Sequence, residues 1–239
     1  MKRYLEKVFS DIKIDEDITY AVLPGLDEPH EEREYKFDVY YSESDTEKKR
    51  RGIIVVHGGG FWAGDKKQPY IVTLCNLFAQ YGYVSFSVDY RLFSRETRPE
   101  FCGGAPVAAV DIELLRKFLF ENAEKFNLDT ENLYISGGSA GGMGSLEAAK
   151  LYKGYNAMVN LWGTYKDAQC PTDFIPTFLV HGTVDKDVDY NFSVEFFKKL
   201  KENNIPCELI TLEDAGHTAI HRLPDFEDKM IKFMNDFAK

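Results

Sequence analysis

From residue 51 onwards, short β-branched runs alternate with longer amphipathic stretches, and this alternation limits the folds open to the chain. Period-two or continuously apolar runs predict strands over residues 35–41, 52–57, 83–88, 133–136, 157–161, 177–181 and 207–212. Helical spacing of apolar residues predicts helices over residues 68–80, 107–126, 140–152, 188–202 and 225–238. Strands that alternate with helices form βαβ units, so the pattern predicts a mostly parallel twisted sheet with helices on both faces.

Bulk properties narrow the class of protein. A chain of 239 residues fits a single domain over residues 1–239. The formal net charge of -10 argues against nucleic acid and anionic membranes as partners. We see no secretory signal and no apolar run long enough to span a membrane, so we expect a cytoplasmic protein. The composition allows an oligomer.

The four cysteines give no sign of a metal centre or a disulfide framework. They are widely spaced and form neither a CxxC motif nor a Cys/His cluster. We therefore expect no metal site, and nothing in the sequence implies an organic cofactor.

The strongest motif follows the predicted strand 133–136. That strand runs into GGSAGG at residues 137–142, with a helix directly after it. This is G-x-S-x-G between a strand and a helix, which is the setting of a nucleophile elbow. Small residues two before and two after the serine let strand and helix approach closely, and the sharp turn lifts the hydroxyl out at the top of the sheet. The motif predicts Ser139 as a nucleophile.

A second strand end carries three glycines. The strand 52–57 ends in HGGGFW at residues 57–62. Such a loop presents unhindered N–H groups, so we expect an oxyanion hole made by the N–H groups of Gly59, Gly60 and Ala140. A phosphate-binding loop is the competing interpretation, but the pattern matches neither phosphate-binding glycine motif. We expect His57 to brace the loop rather than act as a base.

Two further strand ends supply an acid and a base. Asp185 is the first acid after the strand 177–181, with Asp187 and Asp189 as competitors. His217 follows the strand 207–212 after a glycine, with His221 as its competitor. The chain order Ser, Asp, His is the order of the α/β-hydrolases and not that of chymotrypsin or subtilisin. The sequence therefore predicts a triad of Ser139, His217 and Asp185.

These motifs together resemble the HGGG-type carboxylesterases, over about residues 50 to 235. The residues that carry the resemblance are HGGGFW (57–62), GD (64–65), DYRL (89–92), GGSAGG (137–142), HG and Asp185 (181–185), and GH (216–217). The chain looks most similar to the small branch that includes acetyl-esterase and feruloyl-esterase-like enzymes. The resemblance implies the α/β-hydrolase fold, with the family's triad and oxyanion roles at the positions already named. The stretch 93–105 departs from the proline-rich form expected there.

The sequence leaves little room for a cap over the site. The first 34 residues are short of apolar side chains, and only residues 162–176 separate two predicted strands. We expect little or no cap and an open cleft, which suits short-chain acyl or carbohydrate-linked (acetyl- or feruloyl-type) esters better than long lipid chains. Aromatic residues just past strand ends are candidate substrate-binding walls, although each is more often generic packing: Phe61, Trp62, Trp162, Tyr165 and Phe174.

Two alternatives stay open. An amidase, formamidase or peptidase of the same fold would use the same triad. A non-catalytic binding protein on this scaffold is the second alternative, since a fold does not imply a function. The complete triad and glycine loop argue against it.

Overall fold

Eight strands form one sheet through the molecule. The computed structural model describes residues 2–239. The strands are β1 (Ile12–Pro24), β2 (Glu32–Ser42), β3 (Arg50–Val56), β4 (Val84–Val88), β5 (Leu128–Gly138), β6 (Met158–Leu161), β7 (Thr177–Gly182) and β8 (Cys207–Leu212). Their order across the sheet is β1-β2-β4-β3-β5-β6-β7-β8. The first two strands pair antiparallel with their neighbours, and the remaining pairs are parallel.

Helices connect the parallel strands. They are α1 (Pro69–Gln80), α2 (Ala105–Glu121), α3 (Ala140–Leu151), α4 (Tyr190–Glu202) and α5 (Glu227–Asp236). A 3-10 helix, Ile220–Asp225, precedes α5. The apolar faces of α2, α3 and α4 belong to one buried cluster, and those of α1 and α5 belong to another. The sheet is therefore covered on both faces.

Strand β3 shows why the sheet needs both layers. Its residues Ile53 and Val55 pack on the α1 and α5 side, while Ile54 and Val56 pack on the α2 and α3 side, and all four are fully buried. Successive side chains of a strand point to opposite faces, so a continuous apolar run must be covered twice. The predicted fold class, an α/β-hydrolase sheet with helices on both faces, is confirmed.

The N-terminal strand β1 was not predicted. Most of its thirteen residues are exposed or half-buried. Its pairing with β2 is also interrupted by register shifts between Asp15 and Ile18 and between Thr19 and Ala21. An edge strand with bulges does not alternate cleanly in hydrophobicity, so the period-two signal is lost.

Two element boundaries differ from the predictions. The helix predicted over residues 107–126 is α2, which begins at Ala105 and ends at Glu121, and the chain then turns into β5. The helix predicted over residues 225–238 is α5, which begins at Glu227 and ends at Asp236. Asp225 belongs to the preceding 3-10 helix, which contains Pro224.

No helix lies in the two long connections near the site. Residues 89–104 after β4 and residues 162–176 after β6 are turns and irregular chain. This agrees with the expected small cap. Within residues 2–239, we find no helix with the length and apolar character needed to span a membrane.

Candidate active site

The carboxyl ends of β3, β5, β7 and β8 meet at one edge of the sheet because the four strands run parallel. Ser139 follows β5 with φ 54° and ψ -128°, an uncommon conformation for a residue other than glycine. Its N–H donates to the carbonyl of Leu161 at 3.0 Å, and its carbonyl accepts from the N–H of Met143 at 3.0 Å. These main-chain bonds hold the strained turn between strand and helix.

Glycines make this turn feasible by letting backbones touch. A Cβ on Gly137 would lie 2.3 Å from the carbonyl oxygen of Gly141. A Cβ on Gly141 would lie 2.1 Å from the carbonyl oxygen of Val56. Both distances are far below van der Waals contact, so the positions two before and two after the serine require glycine here.

Ser139, His217 and Asp185 form a hydrogen-bonded chain. The Nε2 atom of His217 lies 2.9 Å from the Oγ of Ser139. Its Nδ1 atom lies 2.7 Å from the Oδ2 of Asp185. An ionised carboxylate only accepts, so Nδ1 carries the proton and Nε2 is free to accept from the serine hydroxyl. The Asp185 side chain is fully buried, and that of His217 is 17% exposed.

The surroundings of Asp185 keep it ionised. Burial alone raises its pKa, but hydrogen bonds from His181 and His217 and from the N–H groups of Val188 and Asp187 outweigh burial and hold the pKa well below its ordinary value. The two main-chain donors reach Oδ1 at 3.0 and 2.9 Å. A permanently charged acid is what an imidazole base needs in order to become a cation.

The structure places the competing residues outside the hydrogen-bonded chain. The Asp187 side chain is exposed, and that residue reaches Asp185 through its N–H. Asp189 caps α4 by accepting from the N–H of Asn191. His221 is exposed in the 3-10 helix.

His57 lies in the interior beside the glycine loop. Its Nδ1 donates to the carbonyl of Gly58 at 2.7 Å, and its ring stacks on that of Tyr90 at 4.4 Å. Burial lowers the pKa of His57 to about 4, so the ring is neutral at pH 7. These contacts match the bracing role expected for this residue.

The glycine loop after β3 presents free donors. Gly59 and Gly60 have φ values of 114° and 62°, which favour glycine. Within residues 2–239, the N–H groups of Gly59, Gly60 and Ala140 donate to no protein acceptor. The preceding N–H, that of Gly58, is taken up by the Tyr70 hydroxyl at 2.6 Å. Tyr70 therefore holds one side of the loop.

A cavity of about 860 Å³ lies over Ser139. The glycine loop, Ala140 and His217 lie on its surface. The larger side chains of its wall come from the glycine loop, α1, the connection after β4 and α3: Trp62, Tyr70, Arg98, Phe101 and Met143. Its lining is thus aromatic with a few charged groups.

Of the five aromatic residues expected to form walls, Trp62 lines the cavity. The guanidinium group of Arg98 lies over its ring, 4.9 Å from the centroid. The other four predictions are wrong, because Phe61, Trp162, Tyr165 and Phe174 do not line the cavity.

The four misplaced aromatic residues fill the layers below the site. Phe61 is packed under Gly104, and Trp162 meets Tyr70 edge-on. The Tyr165 hydroxyl donates to Glu147, and Phe174 packs against Phe196. The position of a residue after a strand end sets where its backbone lies, but not whether its side chain points into the interior. Large aromatic side chains gain the most free energy from burial.

The remaining wall residues were not predicted because their sequence signals are weak. Tyr70 lies in the first turn of α1, where its apolar spacing indicates only a buried face. Phe101 and Arg98 lie in irregular chain, where no periodicity applies. Met143 is one of many small or apolar residues on α3. Arg98 and Phe101 lie in the stretch 93–105, which departs from the expected proline-rich form.

A metal-ligand geometry overlaps the triad. Asp185, Asp187 and His217 offer ligand atoms within 4.8 Å of one another. Two of these groups already bond to each other, and a cation between them would break the contact that orients His217. The arrangement suits proton transfer better than metal binding.

Comparisons with known proteins match this architecture. Residues 37–153 match the family model described as BD-FAE. Residues 147–239 match that of the prolyl oligopeptidase family. The first match contains the glycine loop and Ser139, and the second contains Asp185 and His217.

Curated relatives match part of the chain. Arylacetamide deacetylase-like 2 of Homo sapiens is 36% identical over 106 residues, which cover 44% of this chain and 25% of that protein. Lipase 2 of Moraxella sp. (strain TA144) is 32% identical over 109 residues, which cover 44% of this chain and 23% of that protein. The chain thus spans about a quarter of the length of these relatives.

Solved structures match nearly the whole chain. Propionate-bound esterase Est2 of Thermogutta terrifontis has a TM-score of 0.73 at 20% identity, covering 96% of each chain. A truncated carbohydrate esterase from gut microbiota has a TM-score of 0.73 at 16% identity, covering 97% of each. MGS-M1, an α/β-hydrolase from a Medee basin deep-sea metagenome, has a TM-score of 0.71 at 17% identity, covering 95% of this chain and 100% of that one. At these identities the likeness establishes the fold, which is that of the α/β-hydrolases.

Proposed function

We propose that the protein is a carboxylic ester hydrolase that works through an acyl-enzyme on Ser139. One observation carries the proposal: the unbroken contacts from Ser139 Oγ to His217 and from His217 to the buried Asp185, at 2.9 and 2.7 Å. The serine faces a cavity large enough for a small ester. Nucleophile, base and orienting acid are thus in reach of one another.

The first half of the reaction forms the acyl-enzyme. His217 Nε2 takes the proton of the Ser139 hydroxyl as Oγ forms a bond to the ester carbonyl carbon. Asp185 orients the imidazole and stabilises the cation that results. The tetrahedral intermediate then collapses, the bond to the alcohol oxygen breaks, and His217 returns the proton to the leaving alkoxide.

The glycine loop stabilises the charge that develops on the carbonyl oxygen. The N–H groups of Gly59, Gly60 and Ala140 supply the donors, and their freedom from protein acceptors supports this role. Ala140 also begins α3, whose dipole places partial positive charge at this end.

The second half of the reaction releases the acid. Water gives a proton to His217 Nε2 as its oxygen attacks the acyl carbon, and the same N–H groups hold the second oxyanion. When the bond to Oγ breaks, the proton passes from His217 back to Ser139. Neither half requires a cofactor.

Short-chain acyl or carbohydrate-linked esters are the proposed substrates. Irregular chain rather than a helix borders the cavity at residues 98–101. A long acyl chain would need apolar enclosure that this border does not give. Two of the structural neighbours are described as a propionate-bound esterase and a carbohydrate esterase.

Steady-state kinetics with p-nitrophenyl acetate, butyrate and octanoate test the proposal. We expect kcat/KM to fall from acetate and butyrate to octanoate. We expect Ser139→Ala to lose at least about 10⁴-fold in kcat. Ser145→Ala is the matched control, because Ser145 is buried on the same helix away from the cavity. A wild-type protein that hydrolyses none of these esters contradicts the proposal.

A peptidase of the same fold is the second candidate. The match of residues 147–239 to the prolyl oligopeptidase family is the observation that favours it. The two functions separate on matched leaving groups. An esterase cleaves p-nitrophenyl acetate far faster than an N-blocked alanyl-proline p-nitroanilide, whereas a prolyl peptidase cleaves the anilide efficiently.

A further inference from the structure

A second buried histidine, besides His57 at the glycine loop, takes no part in the mechanism. His181 is near the carboxyl end of β7, and its side chain is fully buried. A buried polar ring costs free energy unless its nitrogens are satisfied, so its partners indicate what it does.

Both nitrogens of His181 have partners. Nε2 lies 3.0 Å from Asp185 Oδ2 and 3.0 Å from the carbonyl oxygen of Val188. Nδ1 lies 2.7 Å from the Oγ of Ser193. The carboxylate oxygen that His181 contacts is the same oxygen that His217 contacts.

The partners determine which nitrogen carries the proton. The ionised Asp185 and the Val188 carbonyl both only accept, so Nε2 must donate. In a neutral ring Nδ1 then accepts, and the Ser193 hydroxyl donates to it. Ser193 is therefore left to accept from the hydroxyl of Thr164, which lies against it.

This relay joins three parts of the fold below the active site. Thr164 follows β6, Ser193 lies on α4, and His181 lies on β7, and all three are buried. All three groups are satisfied when the Thr164 hydroxyl donates to Ser193 and the Ser193 hydroxyl donates to Nδ1 of His181. The relay thus fixes a single tautomer and orientation of the His181 ring.

We propose that His181 is a positioning residue for the triad: it holds Asp185 by donating to the oxygen that His217 also uses. The proposal rests on the proposed function, since the aim of Asp185 matters only if His217 acts as the base. With His181 in place, Oδ2 is fixed against rotation and shares its charge between two donors. His181 touches neither the substrate nor the reacting atoms.

Loss of this donor has two expected effects. Asp185 keeps its two main-chain donors to Oδ1 but loses one of the two donors to Oδ2, so the carboxylate is held less firmly, His217 is aimed less well at Ser139 and kcat falls. The carboxylate also directs more of its charge to His217, so the protonated base persists to higher pH and the acid limb of kcat/KM moves upward. A residue that only fills space would not move the acid limb.

Other titratable groups face this cluster and stay unchanged in the test. Asp187 faces His217 from the loop after β7, and Arg98 and Glu100 lie across the cavity. The ring of Tyr190 on α4 meets the His181 ring edge-on at 5.8 Å.

Two amide substitutions at position 181 separate the effect of the hydrogen-bond donor from the effect of the size of the ring. His181→Gln places an NH₂ group near the position of Nε2 and keeps the donor to Asp185. His181→Asn places its amide near Nδ1, keeps a partner for Ser193 and removes that donor. We expect His181→Asn to lose about 10- to 100-fold in kcat with KM nearly constant, and its acid limb to rise by about 0.5 pH unit or more. We expect His181→Gln to stay within about threefold of wild type.

Two results in these variants would contradict the proposal. A His181→Asn variant with wild-type kcat and acid limb overturns the proposal. So does a His181→Gln variant that loses as much activity as His181→Asn. Thermal unfolding of both variants shows whether a loss of activity comes from a destabilised fold.

A spectroscopic readout works on the wild-type protein and without turnover. Five histidines make ¹⁵N-histidine NMR tractable, and substitution assigns the signals. We expect the His181 ring to carry its proton on Nε2, the nitrogen that faces Asp185 and the Val188 carbonyl. A proton on Nδ1 instead overturns the proposal, even if the variants do not fold. A wild-type protein with the expected tautomer but no ester hydrolysis contradicts only the proposed function.

Discussion

At the scale of single residues, burial assigns different tasks to similar side chains. Two histidines at strand ends, His57 and His181, are buried, whereas His217 is partly exposed at the cavity. Neighbours bond both ring nitrogens of His181 and the Nδ1 of His57. The same contrast separates the buried Asp185 from the exposed Asp187. The order of residues along the chain predicts which histidine and which aspartate lie at the cavity, because the first residue of the required type after a parallel strand lies closest to the sheet edge.

Substitution of the two acids tests that assignment. We expect Asp185→Asn to lower kcat by about 10³- to 10⁴-fold, because the amide cannot stabilise the imidazolium and favours the wrong tautomer. Asp187→Asn is the matched control and is expected to stay within a few fold of wild type, since its contact with Asp185 is through the main chain. Steady-state hydrolysis of p-nitrophenyl acetate measures both. Equal losses in the two variants contradict the assignment.

The buried His57 makes stability depend on pH. Its pKa is about 4 in the folded protein and 6.5 in the reference state. As pH falls from 6.5 towards 4, the unfolded chain binds a proton on His57 and the folded chain does not, so unfolding becomes easier. We expect this residue to remove up to about 3 kcal/mol of unfolding free energy across that window.

Urea unfolding at several pH values between 7 and 4 measures the effect. We expect His57→Asn to show a shallower loss of stability with falling pH than wild type. His221→Asn is the control, because that side chain is exposed and its replacement is expected to leave the slope unchanged. A wild-type slope in the His57→Asn variant would contradict the prediction.

At the scale of elements, the elbow depends on close approach of strand and helix. We expect Gly141→Ala to destabilise the protein by about 3 kcal/mol, because its Cβ would overlap the Val56 carbonyl. Gly216→Ala adds the same methyl group in the loop before His217, where nothing lies within 4 Å, and is expected to change stability by less than about 0.5 kcal/mol. Thermal unfolding compares the two. Similar losses would show that the close approach is not what requires glycine.

The strength of local patterns explains which elements and site residues the sequence predicts. Strand β3 and the elbow have strong local signals: a continuous apolar run and a motif in its required context. Strand β1 has an exposed and bulged pattern, so it was missed. The sequence also did not predict that Phe101 lines the cavity and that Trp162 is buried. In irregular structure the direction of a side chain depends on packing against residues that are distant in sequence.

At the scale of the whole molecule, parallel strand order brings the site together. Ser139, Asp185 and His217 are far apart in sequence, yet their strands end at one edge of the sheet. The fold class and the meeting of these three residues could therefore be predicted from local motifs together with the rule that ligands bind at that edge. The cavity shape could not, because it depends on irregular connections that contribute Arg98 and Phe101.

The most direct test of the central claim is covalent labelling of the nucleophile. The protein is incubated with the phosphotriester paraoxon, and the intact mass and the labelled peptide are measured for wild type, Ser139→Ala and Ser145→Ala. An activated Ser139 displaces p-nitrophenol and keeps a single diethylphosphoryl group, so we expect one label on Ser139 in wild type and in Ser145→Ala, and none in Ser139→Ala. A label that persists in Ser139→Ala, or a wild-type protein that takes no label, would contradict the account.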